Sequence, residues 1–221
     1  MAASVLNEIP KAVSRELESF KTPPRKEVAP VPKIGDRAPP SSNLFLTQPK
    51  PTIIVFLRHC GCPCKSRPSF HHTGRSQLEV AEKTFRLFTK FSNRHPEIHC
   101  IAVSHSSQAD TDQWITEVGG EWEVDVIADP DRDLYSAWGL GLSSTWHALN
   151  PWSLYSAYRL GKDEGIWNTP TASGTRWQTS GAFAVDSQGF VRYAEVAKAA
   201  DYVPDFKEII KALEGETKGM P

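Results

Sequence analysis

"GAFAVDSQGFVRYAEV", residues 181–196, holds two runs of β-branched, small and aromatic residues on either side of Asp186–Gly189. Two such runs around a "DSQG" turn predict a β-hairpin. What precedes the hairpin decides the kind of sheet it joins. "TIIVFL" (52–57) and "IHCIAVS" (98–104) are continuous apolar runs, the pattern of strands covered on both faces, and "EVDVIADPD" (123–131) predicts a shorter third strand. Helical patterns separate them. "AEKTFRLFTKFSNRH" (81–95) carries Phe85, Leu87, Phe88 and Phe91 as an apolar stripe, and "ADTDQWITEVGG" (109–120) closes on Gly119 and Gly120. "RDLYSAWGL" (132–140) predicts a short helix ended by Gly139, and "YVPDFKEIIKAL" (202–213) a last one with Pro204 in its first turn. Alternating strands and helices followed by an antiparallel hairpin imply an α/β mixed sheet with helices on both faces.

Outside this core, Val5, Leu6, Ile9, Val13, Leu17 and Phe20 recur at roughly helical spacing. "KTPPRKEVAPVPKIGDRAPPSS" (21–42) is proline-rich and reads as a linker. The expected organisation is a helical extension and linker over 1–29 and one domain over 30–221. Residues 141–180 are long, irregular and rich in Trp, Ser and Thr; Trp138, Trp146, Trp152, Trp167 and Trp177 make this region a candidate recognition surface. The chain is 39% hydrophobic with a formal net charge of −1, which argues against a nucleic-acid partner. No apolar run approaches the roughly 20 residues of a membrane helix, and the N-terminus lacks the apolar core of a secretory signal. A soluble, cytoplasmic protein is expected.

Chemistry concentrates in "FLRHCGCPCKSRPSFHH" (56–72), with Cys60, Cys62 and Cys64 on alternate positions and His71 and His72 after them. An extended backbone would turn all three thiols to one face. A disulfide of Cys62 with Cys60 or Cys64 closes a tight, readily reduced loop, which suits a redox role. Zinc held by the three cysteines with His71 or His72 is the rival, but single-residue spacing gives poor chelate geometry, so no metal is expected. Solvated loop residues are the plain reading of His71 and His72. The end of a buried strand ahead of a helix N-terminus favours a thiolate at Cys62, and Arg58 and His59 add positive charge. Cys100, inside "IHCIAV", reads as an inert core thiol.

Several of these segments resemble one family. "IGDRAPPSSNLF" (34–45) is similar to the opening segment of peroxiredoxins, and "IADPDRDLYSAWGL" (127–140) resembles their aspartate-proline segment ending in Gly-Leu. "WQTSGAFAVDSQGFVRY" (177–193) resembles the late hairpin of the AhpC/TSA superfamily, and "FLRHCGCP" (56–63) a stretch of its fungal thioredoxin-like, peroxiredoxin-like branch. Together they span residues 33 to about 213. The resemblance implies a thioredoxin-like fold and a thiol-dependent oxidoreductase that reduces a peroxide or disulfide through Cys62. Cys60 is the first candidate to resolve the oxidised sulfur and Cys64 the second. Arg58 is expected to support the thiolate, with Arg176 and Gln178 lining the substrate site from the hairpin side. Electrons would come from a thiol donor such as thioredoxin or glutathione, with no organic cofactor. The chain departs from the family where Thr or Ser stands three residues before the reactive cysteine and Pro seven before: those positions hold His59 and Val55. Ser180 stands where the family has an arginine, and the Cys-x-x-Cys of thioredoxins is absent. Two other readings therefore stay open, a non-catalytic binding module of the same fold and a pathway-specific enzyme of fungal secondary metabolism.

In the family, "GCP" runs directly into a helix beginning "F-A-E-K-T-F". Here "AEKTFRLF" starts only at Ala81, after the polar, aperiodic segment Cys64–Val80. Cys-Lys-Ser can be encoded TGT-AAG-TCN, which contains the splice-donor sequence GTAAGT, and splicing from the Cys64 codon into the Val80 codon would yield Phe. A retained intron and a genuine insertion are both open, and the helix is expected to resume near Leu78–Ala81.

Overall fold

The computed structural model describes residues 22–41, 44, 50–58, 80–143, 173–198 and 202–215. The sequence-predicted N-terminal helix lies outside them. The elements are β1 (Thr52–Phe56), α1 (Val80–Ser92), β2 (His99–Ser104), α2 (Gln108–Val118), β3 (Asp125–Ala128), α3 (Asp133–Ala137), β4 (Gly181–Val185), β5 (Val191–Val196) and α4 (Phe206–Glu214). The helix after the cysteine segment thus starts within the expected window.

The sheet order is β3-β2-β1-β4-β5. β1 runs parallel to β2, and β2 to β3, while β4 is antiparallel to β1 and β5 to β4. β1 is central, its Ile54 opposite Ile101 on one side and Phe183 on the other. All five of its residues are buried, because successive side chains enter different cores. Ile53 and Val55 join Phe85, Phe88, Trp114 and Ile209 beneath α1, α2 and α4. Ile54 and Phe56 join Val103, Tyr135, Trp138 and Phe183 beneath α3. This is the expected mixed sheet with helices on both faces. Trp138 and Trp177 are buried; Trp146, Trp152 and Trp167 lie outside the described residues.

Two local expectations are corrected. Leu87 is exposed, not part of the α1 stripe, since at about 100° per residue it points nearly opposite to Phe85. Pro204 lies before α4 rather than in its first turn: Asp205 is the N-cap, its carboxylate accepting the Lys207 amide at 2.9 Å. The α2 terminus agrees with expectation, Gly119 adopting the left-handed cap at φ 110°.

The proline-rich stretch, read as a linker, is held against α3 and the β4–β5 hairpin. Ala29 N–H donates to Ser136, Gly35 N–H to Val191, and Ala38 N–H to Gly189, at 2.8–3.0 Å. The approach is close: a Cβ on Gly139 would lie 2.6 Å from Val31 Cα, so only glycine fits there.

Candidate functional site

In an open sheet with parallel strands, side chains converge beyond the strands' carboxyl ends. Here β1 continues into Leu57 and Arg58, β2 into His105, and the chain entering β4 passes the same end, because Gly181 pairs with Phe56.

The Leu57 amide donates to the Val103 carbonyl at 2.9 Å, extending the β1–β2 ladder by one bond. Beyond it Arg58, half-buried, lines a cavity of about 10 Å³ with Ala81, Thr84, Ser180, Tyr202 and Pro204, room for one water-sized molecule. The structure therefore brings together Arg58 and Ser180, two positions singled out from sequence. On the same wall the Tyr202 hydroxyl donates to the Glu195 carboxylate at 2.8 Å, and Tyr193 donates to the same oxygen. Burial first, then the Glu195 carboxylate, pushes both phenols well above their ordinary range, so they act here as fixed donors.

Gln178 sits differently from expectation. It is buried, and its amide donates to the Leu140 carbonyl at 2.9 Å and the Gly141 carbonyl at 3.2 Å. It borders a cleft of about 550 Å³ shared with Arg25, Lys26, Arg132 and Trp177, not the Arg58 cavity. Arg176 is half-buried between Thr175 and Trp177, and is not among the residues that line the Arg58 cavity. Cys60, Cys62, Cys64, His71 and His72 lie outside the described residues. Cys100 is buried, its thiol pushed up to about 12 mainly by burial, which keeps it protonated and inert. Among the described residues no group of three metal-ligating side chains converges.

Sequence reasoning missed His105 and Tyr135. His105, 3% exposed, donates from Nε2 to the Thr175 carbonyl at 3.0 Å, and its ring meets Tyr135 edge-on at 5.4 Å. Burial first pulls its pKa down to about 4; the charges of Arg132 and Arg58 act in the same direction, and the Thr175 and Leu57 carbonyls oppose it. The Tyr135 hydroxyl lies 2.5 Å from the Leu57 carbonyl and 2.8 Å from that of Val103. One signal was present: His105 directly follows the apolar run of β2, where a parallel strand delivers its next side chains to a site.

Residues 86–199, more than half of the chain, match the family described as AhpC/TSA antioxidant enzyme. Among solved structures, a thiol peroxidase from Chromobacterium violaceum superposes with a TM-score of 0.56 at 15% identity, covering 88% of this chain and 93% of its own. A peroxiredoxin-like protein from Aquifex aeolicus gives 0.55 at 12% identity, covering 86% and 91%. At such identities the likeness is one of fold, and it is the thioredoxin-like fold of peroxiredoxins. None of the curated proteins matches the sequence. No helix among the described residues is long and apolar enough to cross a membrane.

Proposed function

Since the chain belongs to the AhpC/TSA antioxidant enzyme family, we propose that it is a thiol-dependent oxidoreductase of the peroxiredoxin-like type, reducing a peroxide or disulfide through Cys62. The observation that carries this reading is Arg58. It stands at the carboxyl end of the central strand, four residues before Cys62, on the wall of a cavity with room for one water-sized molecule. A guanidinium is always charged and stabilises a nearby thiolate, the reactive form of cysteine.

In the proposed cycle the Cys62 thiolate attacks one oxygen of a hydroperoxide. The O–O bond breaks, the sulfur becomes a sulfenic acid, and the other oxygen leaves as alcohol or water after taking a proton. The Cys60 thiol then condenses with the sulfenic acid, forming a disulfide and releasing water, with Cys64 as the second candidate for this step. A dithiol donor of the thioredoxin type, or glutathione, returns the disulfide to two thiols by exchange. Arg176 is kept as a substrate-binding residue. Gln178, its amide engaged by Leu140, supports the substrate side by bracing the backbone.

The test is hydroperoxide consumption by the full chain with a dithiol donor. Cys62→Ser should abolish turnover, while Cys100→Ser should leave it unchanged; equal rates in wild type and Cys62→Ser would remove the assignment. One observation favours the second reading, a redox-silent binding module: the family match begins at residue 86, after all three clustered cysteines. The same assay separates the two, because a binding module consumes no peroxide in either form.

A further inference from the structure

We propose that His105 and Tyr135 are positioning residues, a buried clamp that fixes the two backbone segments from which Arg58 and Arg176 are presented. The catalytic consequence rests on the redox reading of Cys62; the clamp itself does not. The Tyr135 hydroxyl reaches the carbonyl of Leu57, and the next residue is Arg58. His105 Nε2–H donates to the carbonyl of Thr175, and the next residue is Arg176. The edge-on contact of the two rings joins these grips into one unit, spanning segments far apart in sequence.

Both side chains are buried, Tyr135 at 0% and His105 at 3% exposure, so water does not compete for the bonds. Removing a donor there leaves a carbonyl bare in the interior, and the backbone moves to find another partner. The nature of the ring matters as well. Held neutral, His105 is a donor of fixed direction that adds no charge of its own beside Arg58 and Arg132. A phenylalanine would fill the space without holding Thr175; a lysine would hold it and bring a third charge.

Three variants test the clamp. His105→Phe keeps an aromatic ring and deletes the donor, His105→Gln keeps a donor, and Tyr135→Phe deletes only a hydroxyl. In a chain whose Cys60, Cys64 and Cys100 are serine, the rate of Cys62 alkylation is followed against pH. Hydrogen–deuterium exchange is measured across residues 53–58 and 173–178. His105→Phe and Tyr135→Phe should each raise the alkylation midpoint by about one pH unit, about a tenfold loss of thiolate below it. His105→Phe should speed exchange in 173–178 and Tyr135→Phe in 53–58, with His105→Gln close to wild type. Unchanged midpoints and exchange in both Phe variants would overturn the proposal, as would a Gln variant as damaged as the Phe one, which would reduce His105 to ring packing. Should His105→Phe not fold, Tyr135→Phe decides by the same two readouts. If Cys62→Ser still consumes peroxide at the wild-type rate, the redox reading falls, and exchange in the two segments still decides the clamp.

Discussion

β2 is bracketed by two histidines whose surroundings are opposite. His99, at its amino end, donates from Nε2 to the Asp125 carboxylate at 2.7 Å, and the Asp125 side chain is 72% exposed. His105, just past its carboxyl end, is sealed in and donates to a neutral carbonyl. Six residues of one strand separate a hydrogen bond to an exposed carboxylate from a neutral buried donor. Exposed charge is screened and contributes little, whereas a buried donor is held in place by what its loss would leave unpaired. The buried donor thus lies at the carboxyl end of β2, the end of the sheet from which Arg58 leads toward the cysteines in sequence.

The largest expected effect is acid sensitivity from His105. Its folded pKa, about 4, lies below the ordinary 6.5. Between these values the unfolded chain binds more protons than the folded one, so stability falls as pH drops from about 6.5 to about 4 and levels off below. The loss amounts to roughly 3 kcal/mol across that window. Urea unfolding at pH 7 and pH 4.5 should show it in wild type and not in His105→Gln; an equal acid loss in both would break the contrast between the strand's two ends.

Next in size is Asp129, where the backbone leaves β3 at the same carboxyl end. Its carboxylate accepts the amides of Asp133, Leu134 and Tyr135 at 3.0, 2.8 and 3.2 Å, and so seats the helix that carries Tyr135. Asp129→Ala should destabilise the fold by about 2 kcal/mol, the upper range for a lost helix cap. Tyr135→Phe, which deletes one buried hydroxyl, should cost about 1–2 kcal/mol. Both are read from urea midpoints at pH 7, and a neutral Asp129→Ala would mean that α3 holds its place by packing alone.

The frame was legible because its signals are local. Four consecutive apolar residues after Thr52 make Thr52–Phe56 a strand buried on both faces, and the left-handed Gly119 ends α2. The misreadings arise where a residue's role depends on distant chain. Leu87 lies between Phe85 and Phe88 in sequence yet faces solvent, because the helical period and not nearness in sequence decides burial. The stretch from Pro24 to Ala38 has no periodicity; what holds it is backbone bonding to Ser136, Gly189 and Val191, with the Arg132 guanidinium donating to the Pro24 carbonyl. For Gln178, expected to line the substrate site from the hairpin side, the sequence does not show that its amide bonds Leu140 and Gly141, nearly forty residues away. His105 is the sharpest case: nothing in "AVSHSS" announces the Thr175 carbonyl seventy residues on, or the Tyr135 ring beside it.

The smallest effect belongs to the other end of β2, and its smallness is what the contrast requires. Asp125→Asn removes the charge from the His99 pair while keeping an acceptor oxygen of similar reach. The carboxylate is largely in water, and the pair is charged only when the imidazole is protonated. At pH 7 the change should therefore shift stability by less than about 1 kcal/mol, and moderate salt should shrink it further, because solvent ions screen such pairs. Urea midpoints of wild type and Asp125→Asn, each at low and at 0.5 M salt, make the measurement (~0.5 M puts the screening length near 4 Å). A loss at the Asp125 end that matched the His105 acid effect and survived salt would show that this end is gripped as firmly as the other. A firm side-chain hold would then be a property of both ends of β2, and the buried position of His105 would no longer mark the carboxyl end as special.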